Sequence, residues 1–328
     1  MKQRLEYVDQ MRGIAIIGHL IQFNDLAGGT QNPLFEFIYS FHMPLFFMIS
    51  GYIANKVTNI HNFRSYGNFI LKKFRTLLVP LFVWSLIINK FFFSAHWSFI
   101  TLDDIKNVIL NPGLWFLKTL FEIFLVYGLF QLVSMRIDKQ NKLFLDIFLL
   151  VIILSILFGG YLLVNNSYFG SLLLYTISFY TGVFISKYAW IEKLVMNKWV
   201  FTICTSGFMI FGCHWVFGGN MIDDLYKIII SVMSFISIMN ICRRIKWKPI
   251  ISNQFILFGK ESLAIYIIQF YLTDWKLENA GLGSINSFVL LTILFSTSVF
   301  IAYLCVGFSR IIALIPFFNY TMLGRKDI

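Results

Sequence analysis

The sequence predicts an all-α, polytopic membrane bundle of about ten spans, and three observations carry that prediction. Of its 328 residues, 58% are hydrophobic and only 13% are charged, against roughly 25% charged in an ordinary soluble domain. With a mean hydropathy of +0.74, a water-soluble fold would expose far more apolar surface than solution tolerates. The apolar residues gather in runs of about 20 instead of alternating, and that length crosses a hydrocarbon core. Finally, Lys and Arg fall in every second connection, as the positive-inside rule requires of a chain that crosses repeatedly.

Spans are expected near residues 10–24, 34–54, 76–94, 114–134, 143–163, 168–187, 199–217, 222–241, 254–273 and 285–315. The first and ninth are the most polar, and the last is long enough to hold a break near Pro316. The first is read as a retained helix and not a signal peptide. Its apolar stretch Ile14–Ile21 is short, is interrupted by His19, and has Asp9 and Arg12 at its mouth.

Orientation follows from charge. Lys56, Arg64, Lys72, Lys73 and Arg75 share one side with Arg136, Lys139 and Lys142, with Lys187, Lys193 and Lys198, and with Arg243, Arg244, Lys246 and Lys248. Lys2, Arg4, Arg325 and Lys326 join them, so both termini are expected in the cytoplasm. The opposite connections (25–33, around Asn165, around Gly218) carry no basic residue, and only Lys106 and Lys276 break the pattern. Lys90 and Lys227 sit near the outer boundary, where long side chains snorkel toward water.

This distribution accounts for most of the net charge of +11. It also argues against nucleic acid as a partner, because the charge is spread over short connections and not gathered in a groove. The four cysteines lie in apolar segments without paired spacing, so neither a disulfide framework nor a zinc site is expected, and no other metal site is. With no repeat and no connection long enough to fold alone, residues 1–328 read as one membrane domain without a soluble appendage.

Polar residues inside spans are then the natural site candidates, since a charge at the bilayer centre costs about 2.5–3.5 kcal/mol on insertion scales. Asp9 and Arg12 are three residues apart and share a helix face. His19 lies ten residues beyond Asp9, about 15 Å further along that helix and near the expected midplane. His42, in the antiparallel second span, lies roughly 12 Å below the outer face, so the two imidazoles are expected at similar depth. Pro44 removes a backbone bond beside them and opens a polar notch. A neutral imidazole is suited to take a proton from a hydroxyl; a structural hydrogen bond between helices is the plainer reading of each histidine. Lys118 and Glu122, four residues apart in the fourth span, are read equally as a site and as a neutralised pair. Trp115 reads first as an interfacial anchor.

These residues form an ordered set. Asp9-x-x-Arg12-Gly13-Ile14-Ala15 is followed by His19, and Phe41-His42-Met43-Pro44-Leu45-Phe46-Phe47 ends in Ser50-Gly51-Tyr52. A basic run then precedes Leu77-Leu78-Val79-Pro80, followed by Leu114-Trp115-Phe116-Leu117 and Gly259-Lys260-Glu261-Ser262-Leu263-Ala264-Ile265-Tyr266. In that order they resemble the acyltransferase 3 family of bacterial integral-membrane acyltransferases, over residues 5 to about 270.

The resemblance implies transfer of an acyl group, commonly acetyl from acetyl-CoA, to a hydroxyl of a sugar, glycolipid or surface polysaccharide precursor. It implies a place in the bacterial cytoplasmic membrane, and acyl-CoA as a co-substrate with no permanently bound cofactor. His19 matches the family histidine thought to drive transfer, and Arg12 its first-span arginine. Asp9 is expected to orient neighbouring groups, and Arg12 or His42 to stabilise the oxyanion. Lys72, Lys73 and Arg75 are expected to hold the CoA phosphates, and Trp115 and Glu122 to contact the acceptor. Two positions depart from the pattern. The family's Arg-x-x-x-Arg pair is Lys72 and Thr76 here, with Arg75 alongside, and a frequent histidine is Gln269. The rival expectation is a carrier for a saccharide unit, because buried polar residues also mark transport pathways.

Overall fold

The computed structural model describes residues 5–22, 33–93, 99–134, 142–164, 167–215, 221–272 and 287–325. Residues 25–32, Asn165, Gly218, Lys2, Arg4, Arg136, Lys139, Lys276 and Lys326, which entered the topology above, lie outside the described residues.

Among the described residues the structure is helical, with no strand. In order, the elements are α1 (Glu6–Gln22), α2 (Pro33–Val57), α3 (Phe63–Lys73), a π turn (Phe74–Leu78), α4 (Val79–Phe82), a second π segment (Val83–Phe93) and α5 (Leu102–Leu110). There follow α6 (Trp115–Ser134), α7 (Lys142–Val164), α8 (Ser167–Lys187), α9 (Ala189–Val195), and α10 (Lys198–Phe211) with a 3₁₀ turn (Gly212–His214). The last are α11 (Met221–Arg244), α12 (Pro249–Lys260), α13 (Ser262–Leu272), α14 (Ser287–Ala313) and α15 (Pro316–Leu323).

Seven helices among the described residues are long and apolar enough to cross a membrane, or eight if α9 and α10, bent by 62°, make one span. The other two expected spans differ for physical reasons. At 17 residues, α1 is short and carries Glu6, Asp9, Arg12 and His19. The ninth is divided at Glu261 into α12 and α13, so neither piece reaches span length. The third begins earlier than expected: one helical run from Phe63 to Phe93 includes the basic residues assigned to a connection.

The chain divides into two units, residues 1–57 with 173–308 and residues 58–172 with 309–328. In the first, α1 packs against both α2 and α12. A Cβ on Gly13 would overlap the carbonyl of Phe255, and one on Gly259 would overlap that of Asp9. The two backbones therefore meet directly, as small residues allow between membrane helices. Gly51 and Gly182 do the same for α2 and α8, against the carbonyls of Phe179 and Met48.

Pro44 sits inside α2 without ending it. Having no N–H, it cannot serve the Ser40 carbonyl one turn back. The Ser231 hydroxyl of α11 lies 3.0 Å from that carbonyl and 2.6 Å from the Lys227 carbonyl of its own helix. The notch expected at Pro44 is thus filled by a neighbouring helix, which ties α11 to α2 beside His42.

In the second unit, Asn62 and Ser65 form a reciprocal cap at the start of α3. Pro80 deprives Thr76 of its helical partner in the same way, and π turns flank it on both sides. The Trp84 indole N–H donates to the Met322 carbonyl at 2.9 Å, fixing α15. Gly324 ends α15 at φ 64°, where a Cβ would overlap the backbone of Thr76.

Candidate active site

Antiparallel α1 and α2 bring the two predicted histidines together. The ring centres of His19 and His42 lie 5.3 Å apart, and the residues are 2% and 0% exposed. Tyr266 of α13 lies 5.3 Å from His19 on another side. Gln269, one turn further on, places its side-chain nitrogen 3.0 Å from His19 Nε2. That same nitrogen lies 3.5 Å from the Tyr266 carbonyl, a contact suited to an amide N–H. So oriented, Gln269 donates to His19 Nε2, and the ring proton resides on Nδ1. A half-turn of the amide reverses the tautomer, because Oε1 would then accept from Nε2–H.

The tautomer of His42 is fixed more tightly. Its Nδ1 lies 2.9 Å from the Ile38 carbonyl. A carbonyl only accepts, so Nδ1 carries the hydrogen, and neutral Nε2 holds a lone pair. Nε2 is buried and has no hydrogen-bond partner among the described residues. Neutral His42 therefore cannot donate to an oxyanion through Nε2, but it can accept a proton there.

Asp9 is 3% exposed, against Gly259 of α12, and Arg12 is half-buried on the same helix. Gln10 donates to Ser252 at 2.8 Å, adding a polar tie between α1 and α12. Toward that end of the unit, Glu192 of α9 accepts from Tyr52 at 2.9 Å and Arg243 at 2.9 Å, with Lys56 at 3.6 Å. Tyr7 meets the Tyr52 hydroxyl at 2.8 Å. Glu192 thus joins Lys56 and Arg243, which the charge rule puts on one side.

Beyond the histidines, toward the start of α2, the surroundings are aromatic. Tyr39 meets His42 edge-on at 5.6 Å and stacks on Trp215 at 5.6 Å. Lys227 of α11 is 4% exposed, with Nζ 4.0 Å from the Tyr39 ring centre and 4.6 Å from that of Trp215. The snorkelling expected of Lys227 gives way to burial over two rings. A desolvated cation–π contact contributes about 2 kcal/mol, whereas taking an ion out of water costs several. The rings therefore leave this charge undercompensated.

The remaining site candidates belong to the second unit. Lys72 is exposed, and Lys73 Nζ lies 3.7 Å from the Phe124 ring centre. The Arg75 guanidinium faces Tyr320 at 5.6 Å, and its buried Nε has no hydrogen-bond partner among the described residues. Glu122 accepts from the Tyr168 hydroxyl and lies 3.9 Å from Lys118, so its carboxylate would have to exchange partners to bind a ligand. Trp115 is half-buried and meets Phe116 edge-on. Among the described residues no group of three or more metal-ligating side chains occurs.

A family model described as an acyltransferase domain, that of the acyltransferase 3 family, matches residues 5–307. The chain belongs to this family. Nodulation protein NolL of Sinorhizobium fredii is 34% identical over 134 residues, covering 37% of this chain and 35% of that protein. Nodulation protein NolL of Mesorhizobium japonicum is 29% identical over 120 residues, covering 34% of this chain and 31% of that protein. The chain thus aligns with about a third of the length of these curated relatives. No solved structure matches.

Within this acyltransferase-family chain, the histidine pair joins both of the most specific motifs, one per helix. Sequence reasoning passed over the partners: Gln269 was visible only as a departure from the family pattern, and Lys227 only as a boundary lysine. Tyr39 and Trp215 gave no signal beyond aromatic composition.

Proposed function

We propose that the chain is a membrane O-acyltransferase that moves an acyl group, acetyl foremost, from acyl-CoA to a hydroxyl of a sugar, glycolipid or surface polysaccharide precursor. Its proposed location is the bacterial cytoplasmic membrane, with both termini inside. The observation that carries this reading is the buried His19–His42 pair, with its neighbour Gln269, in a chain of the acyltransferase 3 family.

In the proposed reaction the acceptor hydroxyl attacks the thioester carbonyl. A C–O bond forms, the C–S bond breaks, and the hydroxyl proton passes through the histidine pair to the departing CoA thiolate. His19 is the proposed base, acting through Nδ1 when the Gln269 amide is turned to accept from Nε2–H. His42 Nε2 is a second proton acceptor beside it. Such proton transfer contributes typically 10²–10⁴-fold to the rate. Arg12 is the proposed oxyanion partner, oriented with Asp9 on the same face of α1. Lys72, Lys73 and Arg75 are the proposed phosphate contacts of CoA. Exposed Lys72 is a free-standing point charge, whereas Lys73 would leave its ring contact with Phe124.

The first test is equilibrium binding of radiolabelled acetyl-CoA to the full chain in lipid nanodiscs. Saturable binding, competed by unlabelled CoA, is expected. No saturable binding, with a known acetyl-CoA enzyme passing in parallel, contradicts the proposal.

A further inference from the structure

Lys227 is a buried charge that the acyl-transfer reading leaves without a task. Among the described residues no carboxylate comes within ion-pair distance of its Nζ, which faces only the rings of Tyr39 and Trp215. The surroundings are held in place by backbone contacts. The Trp215 indole N–H donates to the Asp223 carbonyl at 3.1 Å, and the Lys227 carbonyl lies 2.6 Å from the Ser231 hydroxyl that also faces the Ser40 carbonyl. Asp224, three residues before Lys227 on α11, is exposed and interacts with it electrostatically without pairing. Tyr39 links this group to the reacting centre through its edge contact with His42.

We infer that Lys227, Tyr39 and Trp215 form an acceptor subsite for a saccharide bearing an anionic group, carboxylate or phosphate, near the hydroxyl to be acylated. The inference rests on the acyltransferase reading above. Sugar rings present C–H faces that pack on aromatic rings, and Tyr39, only partly buried and backed by the stacked ring of Trp215, is the ring placed to offer one. A desolvated ammonium with ring faces and, among the described residues, no carboxylate at ion-pair distance gains most from an anion, through a charge-assisted hydrogen bond. Charged residues within membrane bundles mark substrate paths. An anion held at Lys227 brings the attached sugar beside His42, whose buried Nε2 carries a lone pair.

The test is equilibrium binding of three radiolabelled probes sharing one ring (glucose, glucuronic acid and glucose 1-phosphate) to the full chain in nanodiscs. The wild type is expected to bind at least one anionic probe about tenfold or more tighter than glucose, as a desolvated charge pair does. Lys227→Gln should abolish that preference, Lys227→Arg should keep part of it, and Trp215→Ala should weaken all three probes. Preference for the carboxylate alone or the phosphate alone supports the subsite and identifies its anion. Equal affinity for all three probes in the wild type, or no binding of either anionic probe, overturns the inference. So does a preference that survives Lys227→Gln. Acetyl-CoA binding is measured on the same preparation. If it is present without an anion preference, only the subsite fails; if it is absent, the acyltransferase reading fails.

Discussion

Gln269 holds its side-chain nitrogen 3.0 Å from Nε2 of His19, although 250 positions separate the two in the chain. The amide can donate to that nitrogen or, once turned, accept from it, so it can hold the ring in either tautomer. Gln269→Leu should lower turnover by about 10–100-fold, the effect of a misplaced catalytic group, with little change in KM for acyl-CoA. Gln269→His, which restores the family's frequent residue, should recover most of the rate and move the pH profile of kcat. Steady-state kinetics across pH would check both, and a wild-type profile in Gln269→Leu would contradict the positioning role.

The direct contact of α1 with α12 predicts sensitivity at two glycines. Gly13→Ala and Gly259→Ala each drive a methyl group into a backbone carbonyl. Overpacking of this kind costs typically about 1–3 kcal/mol. A lower unfolding temperature in detergent is expected for both, and Gly67→Ala, which has open space, serves as the control.

Ser231 and Pro44 should be thermodynamically coupled. Ser231→Ala removes the hydroxyl beside the Ser40 carbonyl, at a cost of about 0.6–1 kcal/mol for a hydrogen bond between membrane helices. In a Pro44→Ala background the helix can supply its own N–H to that carbonyl, and the cost of losing Ser231 should shrink. A double-mutant cycle on thermal unfolding measures the difference.

Lys227→Met should raise the unfolding temperature while impairing function, because an undercompensated buried charge is exchanged for an apolar side chain of similar length. Unfolding followed in nanodiscs checks this. A lower unfolding temperature would mean that the ring contacts outweigh the desolvation cost.

The bundle was legible in the sequence because bilayer thickness imposes one length on every span, and His19 and His42 stood out because polar groups are scarce there. Even their proximity followed from counting helical rise in two antiparallel spans. Less was legible wherever the chain broke regularity. The division at Glu261, the π turns around Pro80 and the early start at Phe63 depend on packing and capping that hydropathy does not record. Gln269 and Lys227 were harder for another reason. Their meaning lies in contacts with residues far away in the chain, and neither spacing nor periodicity encodes such contacts. The pairing of Glu122 with Lys118 was readable from a spacing of four, whereas its tie to Tyr168 was not.

Label transfer from radiolabelled acetyl-CoA to a glycan extract of bacterial membranes, with wild type, His19→Ala and His42→Ala compared in nanodiscs, tests the central claim most directly. Transfer by the wild type and a loss of at least about 10²-fold in each variant is predicted, the scale of general acid–base catalysis, with acetyl-CoA binding retained. Undiminished transfer by both variants would contradict the assignment of the proton transfer to this pair.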